Sequence, residues 1–292
     1  MQSNLISRRE LAKLTGVAAI AGGAVASAAP GALTVRQVVE RIQKNIGVPW
    51  QAQTVDTFKA GDPGTPVTGI VTSFMATLDV LHRSVAAGKN FIVSHEPTFY
   101  SHLDHTDDLK ADPVFQVKMD YIAKNKLVVW RFHDHWHARQ PDAVSVGLSQ
   151  LLGWEQYRAD DERVVFTLPR TTLGALAREM QTRLKTQALR VIGDPHASVS
   201  KVALSPGAGG PQMQMAFMPK VDVYVCGEAT EWEGIAYMRD TIASGQPKGM
   251  ILAGHQVTEE PGMMLCAQWL KTLVPEVPVE WIPAGDAFWR PA

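Results

Sequence analysis

Two apolar runs, FIVSHEP (residues 91–97) and LVVWRFHDHWH (residues 127–137), each end abruptly in histidines and carboxylates, and this limits the fold more than any other feature. Each run is short and rich in β-branched or aromatic residues, as a buried strand requires. Each follows a segment with apolar positions at helical spacing, MATLDVLHRSVAAGKN and DPVFQVKMDYIAKNK, and TPVTGIVTSF supplies a further strand upstream. Strand, helix, strand in succession is the elementary piece of a layered α/β fold. In parallel sheets of that kind ligands gather beyond the carboxyl ends of the strands, where both polar clusters fall.

The remaining chain repeats the pattern. TVRQVVERIQKNIG predicts a helix stopping at Gly47, and DAVSVGLSQLLGW predicts another. From about residue 160, VVFTLP, TTLGALAREMQTRL, ALRVIGD, VSKVALSPGAGG and VDVYVCGE read as a second α/β lobe. EWEGIAYMRDTIASG is then a helix, GMILAGHQVTEEP a strand ending at a third polar cluster, GMMLCAQWLKTLV a helix and VPVEWIPA a last strand. The expected division is residues 29–157 with 248–292 in one lobe, which carries the three clusters, and 158–247 in the other.

With 292 residues, 46% of them hydrophobic, the chain can bury a large core. A formal net charge of -1 and the lack of a basic run give no field for nucleic acid or an anionic membrane surface. Residues 1 to about 28 read as an export signal: a basic opening with paired Arg8-Arg9 resembling a twin-arginine signal, a short apolar run, and the small-residue pattern Ala26-Ser27-Ala28. The run is too short and too rich in Ala and Gly for a membrane span. The expected location is therefore periplasmic or otherwise exported. Cys226 and Cys266 allow one disulfide or two buried thiols, and spacing does not decide between them.

In the first cluster His95 and Glu96 end a strand, offering an imidazole and a carboxylate to a borderline or hard divalent metal, or a salt bridge to a neighbour. In the second, His133, Asp134, His135 and His137 crowd together, and an extended run would place the three histidines on one side, a rare arrangement without a metal or catalytic use. In the third, His255 and Glu259 are four apart and would share a helical face, with Glu260 as a competing carboxylate. His102, Asp104 and His105 are expected to line the approach or to be solvated. SPGAGG lacks the Lys and Ser/Thr of a P-loop and reads as a turn. Together the clusters predict a site for one or two divalent metals assembled from distant parts of the chain.

The order SHEP, HDHWH, SPGAGG, CGEATE, GHQVTE resembles the Nif-three-like dinuclear metal centre proteins from about residue 33 to the end. Those proteins carry Thr-His-His-Pro, then His-Thr-Asn-Leu-Asp, a Gly-rich turn, an acidic turn and a final Gly-His-x-x-x-Glu. The resemblance implies two interlinked α/β lobes with the metals between them, ring-shaped hexamers, and ligands at His95, Glu96, His137, His255 and Glu259. Glu96 stands where the family has a second His, and His137 where it has Asp, so the set keeps three imidazoles and two carboxylates. Glu228 and Glu231 match the acidic turn and are candidates for acid/base work or for supporting the ligands. Two classes of function follow. One is a hydrolase using two divalent ions, zinc, manganese or iron, on a small phosphoester, nucleotide or cyclic amide. The other is a metal storage, delivery or chaperone protein without turnover.

Overall fold

The computed structural model describes residues 32–159, 162–288 and 291, and the expected export leader lies outside them. Helix α1 (Val35–Asn45) opens with a capping box in which Thr34 and Gln37 satisfy each other's backbone N–H groups. Then follow β1 (Phe58–Ala60), β2 (Ile70–Ser73), α2 (Leu78–Ala86), β3 (Phe91–Ser94), α3 (Pro113–Lys124), β4 (Val128–Arg131), α4 (Asp134–Ala138) and α5 (Ala143–Leu152). The second half contains β5 (Arg158–Ala159), β6 (Glu162–Thr172), α6 (Leu173–Leu184), β7 (Arg190–Ile192), β8 (Ser198–Ala208), α7 (Pro211–Phe217), β9 (Val223–Glu228), α8 (Ala236–Ala243), β10 (Gly249–Leu252), α9 (His255–Leu273) and β11 (Val279–Trp281). Among the described residues no helix is long and apolar enough to cross a membrane.

The strands form two sheets, ordered β1-β4-β3-β2-β11 and β5-β6-β8-β9-β10-β7. In the first, β4, β3, β2 and β11 are parallel. In the second, β8, β9 and β10 are parallel, flanked by antiparallel partners. The expected division placed residues 248–292 together in the first lobe, but β10 hydrogen-bonds into the second sheet while β11 closes the first. The chain therefore passes between sheets through α9, which packs on α5 and β2 as well as on β8 and β9. Close approach of α5 and α9 depends on glycine: a Cβ on Gly147 would lie 2.5 Å from the Pro261 carbonyl oxygen.

A core of Trp130, Phe132, Trp136 and residues of α1 and α9 fills one side of the first sheet. Phe166, Leu176, Val202 and Val225 belong to a corresponding core around the second. Cys226 on β9 and Cys266 on α9 are both buried and free. Burial pushes the Cys226 thiol up to about 12 and the Cys266 thiol higher still. Neither is expected to react with a thiol-selective reagent until the protein unfolds, a result read by labelling and mass measurement with and without denaturant.

Lys118 on α3 is buried and donates to the Thr98 carbonyl oxygen at 2.6 Å, pinning the loop that follows Glu96. Burial, partly opposed by the charge of Asp104, lowers its pKa to about 8 from 10.5. Between those values the unfolded chain binds more protons than the folded one, so stability rises with pH across that window. Lys118→Met is expected to flatten this rise in denaturant titrations at pH 8 and 10.

Candidate metal centre

His95 and Glu96 follow β3 directly, and their backbone N–H groups still pair with Ser73 and Phe74. Ser94 Oγ accepts from the Ala76 N–H and donates to the Glu96 carbonyl, fixing the turn. His95 is fully buried; its Nδ1 lies 3.1 Å from the Phe132 carbonyl oxygen, and its Nε2 lies 3.2 Å from Nε2 of His137.

The second cluster is helical where the sequence pattern predicts an extended run. β4 ends at Arg131 and the histidines enter α4. The cause is Asp56, whose buried carboxylate accepts from the backbone N–H groups of His133, Asp134 and His135 and so caps the turn. Helical spacing keeps His133 and His137 together and sends His135 to the other side. His135 is buried there, with Nδ1 2.7 Å from Asp56 and its ring stacked on Trp50 at 3.6 Å. It is a structural residue.

His255 and Glu259 share the first turns of α9, as four-residue spacing requires. His255 Nε2 lies 3.3 Å from Glu259 Oε2 and 3.4 Å from Glu96 Oε1. His133 Nε2 reaches to within 3.6 Å of the same Glu96 oxygen. The other Glu96 oxygen accepts from Arg131 Nη2 at 3.1 Å. Arg131 is wholly buried; it also donates to the carbonyl oxygens of His95 and His102, so one guanidinium holds both Glu96 and the backbone beside it.

Five residues expected from sequence, His95, Glu96, His137, His255 and Glu259, thus converge, and His133 joins them. Four histidines repeat one arrangement. Nδ1 is engaged by an acceptor, the Phe132 carbonyl for His95, Asp134 for His133, Asp142 for His137 and Glu228 for His255. Each Nε2 faces the cluster. Outer acceptors of this kind fix the ring tautomer that leaves Nε2 free to ligate. Two such lone pairs 3.2 Å apart, on His95 and His137, repel unless a proton or a metal lies between them. Glu259 Oε2 is buried without a hydrogen bond among the described residues, although His95 Nε2 is 3.2 Å away. Imidazole nitrogens and carboxylate oxygens in this number suit a divalent transition metal. His95 with His133 and His137, and His95 with Glu96 and Glu259, each present donor atoms within 4.8 Å of one another. The residues fit a metal.

Burial opposes ionisation of Glu259, but the charge of His95 and the close approach of His255 outweigh it and hold the carboxyl well below the usual range. Glu96 is also held below its usual value, burial being outweighed by the hydrogen bond from His255 and the charges of His95 and His133. His255 loses to burial but gains more from Glu259 and Glu96, which raise it to about 11. His133 is lowered to about 4 by burial and by the charges of His95 and His137. The cluster therefore keeps its carboxylates charged, balanced without metal by protons on His255 and His137 that a bound cation would displace.

Other expectations settle differently. Glu228 lies at the end of β9, more than half exposed, on Nδ1 of His255, where it orients that ring. Glu231 is exposed at the start of a π-helical turn, Glu231–Ile235, and does not line the cavity beside the cluster. Glu260 points away, accepting from Trp281 and the Ala284 N–H. His102 and His105 are exposed, but the Asp104 side chain is buried, accepting from the Thr98 and Phe99 N–H groups and pairing with Lys59 at 3.2 Å. It staples its loop internally.

SPGAGG is not the turn expected: Ser205–Ala208 continue β8, with an irregularity in the pairing to β9, and Gly207 there has a further purpose. Gly207 has φ +74, and a Cβ there would lie 2.1 Å from Glu259 Oε1. Gly207→Ala is expected to displace Glu259 and to cost more than about 1 kcal/mol through the positive φ. Circular dichroism should show a retained fold with a lowered Tm, and metal affinity should fall.

With the cluster's residues drawn from strand ends of both sheets, residues 33–285 match Duf34/NIF3 (NGG1p interacting factor 3). The chain belongs to the Duf34/NIF3 family. Among solved structures of similar fold are Staphylococcus aureus protein SA1388 (TM-score 0.70, 15% identity, 89% of this chain and 99% of that one) and a Bacillus cereus protein related to NIF3 (TM-score 0.69, 15% identity, 88% and 99%). Reduced HcgD from Methanocaldococcus jannaschii is also similar (TM-score 0.58, 15% identity, 85% and 97%). A Neisseria meningitidis protein named GTP cyclohydrolase 1 type 2 homolog is 33% identical over 97 residues, 33% of this chain and 36% of that protein. The chain thus matches about a third of that relative's length.

His133 belongs to the second cluster, but the sequence pattern does not single it out, and it shows no role for Asp56, Asp134, Asp142 or Arg131. His133 and His137 are four apart, the same spacing used for His255 and Glu259, and that was the available signal. Arg131 had one too: a charge inside an otherwise apolar strand needs a buried partner.

Proposed function

We propose that this Duf34/NIF3 protein binds divalent metal, two ions of zinc, manganese or iron per chain, at the His/Glu cluster and hydrolyses a small phosphoester, nucleotide or cyclic amide. One observation carries the reading: four Nε2 atoms, each with its Nδ1 engaged, face two carboxylates at the edge of a cavity of about 780 Å³. His95, Glu96, His137, His255 and Glu259 would hold the ions, with His133 beside them. Bound there, divalent metal supplies an acidified water and charge neutralisation at the scissile group. The chain's own residues do the rest. Arg131 fixes Glu96 with one oxygen turned to the cluster, and Glu228 and Asp142 hold the tautomers of His255 and His137. Glu228, at the cavity wall, would accept a proton from an attacking water through the oxygen that His255 does not hold.

Storage or delivery of metal is the second reading. It is favoured by the commitment of Glu228 to His255 and by the position of Glu231 outside the cavity. Elemental analysis of protein purified without chelator or affinity metal tests both. About two ions per chain, with turnover on a hydrolase panel that chelator abolishes, supports the hydrolase. Bound metal that exchanges fast without turnover supports storage, and no metal with no uptake on titration overturns both. Export and a ring-shaped hexamer belong to the same proposal, tested by fractionating cells and by sedimentation.

A further inference from the structure

We propose that the cavity beside the cluster binds a small organic oxyanion, its charged group on Arg190 and a ring-sized apolar body against Phe74, Leu252 and Val257. The proposal rests on the reading that the cluster acts on a bound molecule, and it names the class of that molecule. Arg190 begins β7 and lies opposite Leu252 of β10, so it stands at the strand end that delivers His255. Its side chain lines the same cavity as Glu96, Glu228 and His255.

Charge decides the class. The carboxylates lining the cavity already have partners: Glu96 has Arg131 and His255, Glu228 has His255, and Asp286 accepts from Thr186 Oγ1 and the Phe288 N–H. The Arg190 side chain lines the cavity, is exposed and makes no hydrogen bond or ion pair among the described residues. A guanidinium presents parallel N–H donors that match two oxygens of a phosphate, phosphonate or carboxylate. Most of the remaining wall is apolar. The Phe74 ring lies 5.7 Å from the His255 ring, so the apolar wall runs up to the cluster itself. A cavity of about 780 Å³ is in the range that encloses a small organic molecule, and larger than inorganic phosphate needs. A molecule held at Arg190 and seated on Phe74 would present its other bonds to His255 and Glu228.

Isothermal titration of the full chain in chelator, without metal, tests this with phenylphosphonate as probe. Benzoate, inorganic phosphate and benzyl alcohol serve as comparison ligands. The expected result is saturable binding of phenylphosphonate, weakened at least tenfold by Arg190→Gln and less by Arg190→Lys. Inorganic phosphate and benzyl alcohol should bind at least tenfold more weakly, because each lacks one half of the ligand. Benzoate binding as tightly as phenylphosphonate would assign the site to carboxylates, and weaker binding would assign it to phosphoryl groups; both keep the oxyanion. Equal binding by wild type and Arg190→Gln, or no binding of either aryl anion, would overturn the proposal. Since the titration needs neither metal nor turnover, binding by a protein that proves inactive would retire the hydrolase reading and leave this one standing.

Discussion

Arg131→Met is expected to cost about 3–5 kcal/mol of folding stability, the range for removing one partner of a buried ion pair. Arg131 has no exposed surface, and Glu96 and Asp104 lie 3.1 and 3.8 Å from it with little exposure of their own. Methionine matches much of the volume and none of the charge. Two carboxylates would then face a low-dielectric interior, Asp104 keeping Lys59, and the carbonyl oxygens of His95 and His102 would lose their donor. Equilibrium denaturant titration measures the loss. Adding Glu96→Gln to Arg131→Met should recover part of it, because the charge left unpaired is then gone. No recovery would mean that Arg131 serves the loop alone and does not hold Glu96.

Glu259→Gln is expected to weaken metal binding by about 100-fold or more while leaving the fold intact. Glutamine keeps the shape but has no charge, and it offers an amide where the cluster presents its most buried carboxylate. Effects of about 10–100-fold are typical of groups that only support a ligand, so loss of a ligating charge should reach or exceed that range. Competition titration against a chromophoric chelator reads the affinity, and circular dichroism checks the fold. Asp142→Asn, which touches only His137 Nδ1 within the cluster, should fall in the smaller range. Equal affinity in Glu259→Gln and wild type would remove Glu259 from the site.

Much of this architecture was legible in the chain because the strands are short apolar runs and the chemistry sits at their ends. FIVSHEP, the β4 run and GMILAGH each deliver polar residues where a parallel sheet presents ligands. The resemblance then ordered the ligands and marked Glu96 and His137 as exchanges. What the sequence concealed depends on residues far apart in the chain. Nothing local to HDHWH says that Asp56 will cap it into a helix, so the three histidines looked extended and His135 looked like a site residue. Asp104 likewise looked solvated because Lys59 and the turn that buries it lie elsewhere. The assignment of β10 was missed for a related reason: a strand's sheet is set by its pairing with β9, which the apolar pattern of GMIL does not encode.

The central claim, that Nε2 atoms of the four histidines and the carboxylates of Glu96 and Glu259 form one metal centre, is tested most directly by crystallography of protein loaded with zinc. Anomalous scattering would be recorded on both sides of the zinc absorption edge. The account predicts edge-dependent peaks about 2.0–2.2 Å from Nε2 of His95 and from carboxylate oxygens of Glu96 or Glu259. Zinc-loaded crystals with no such peak at the cluster, or with zinc held by Nδ1 atoms in place of Nε2, would contradict it.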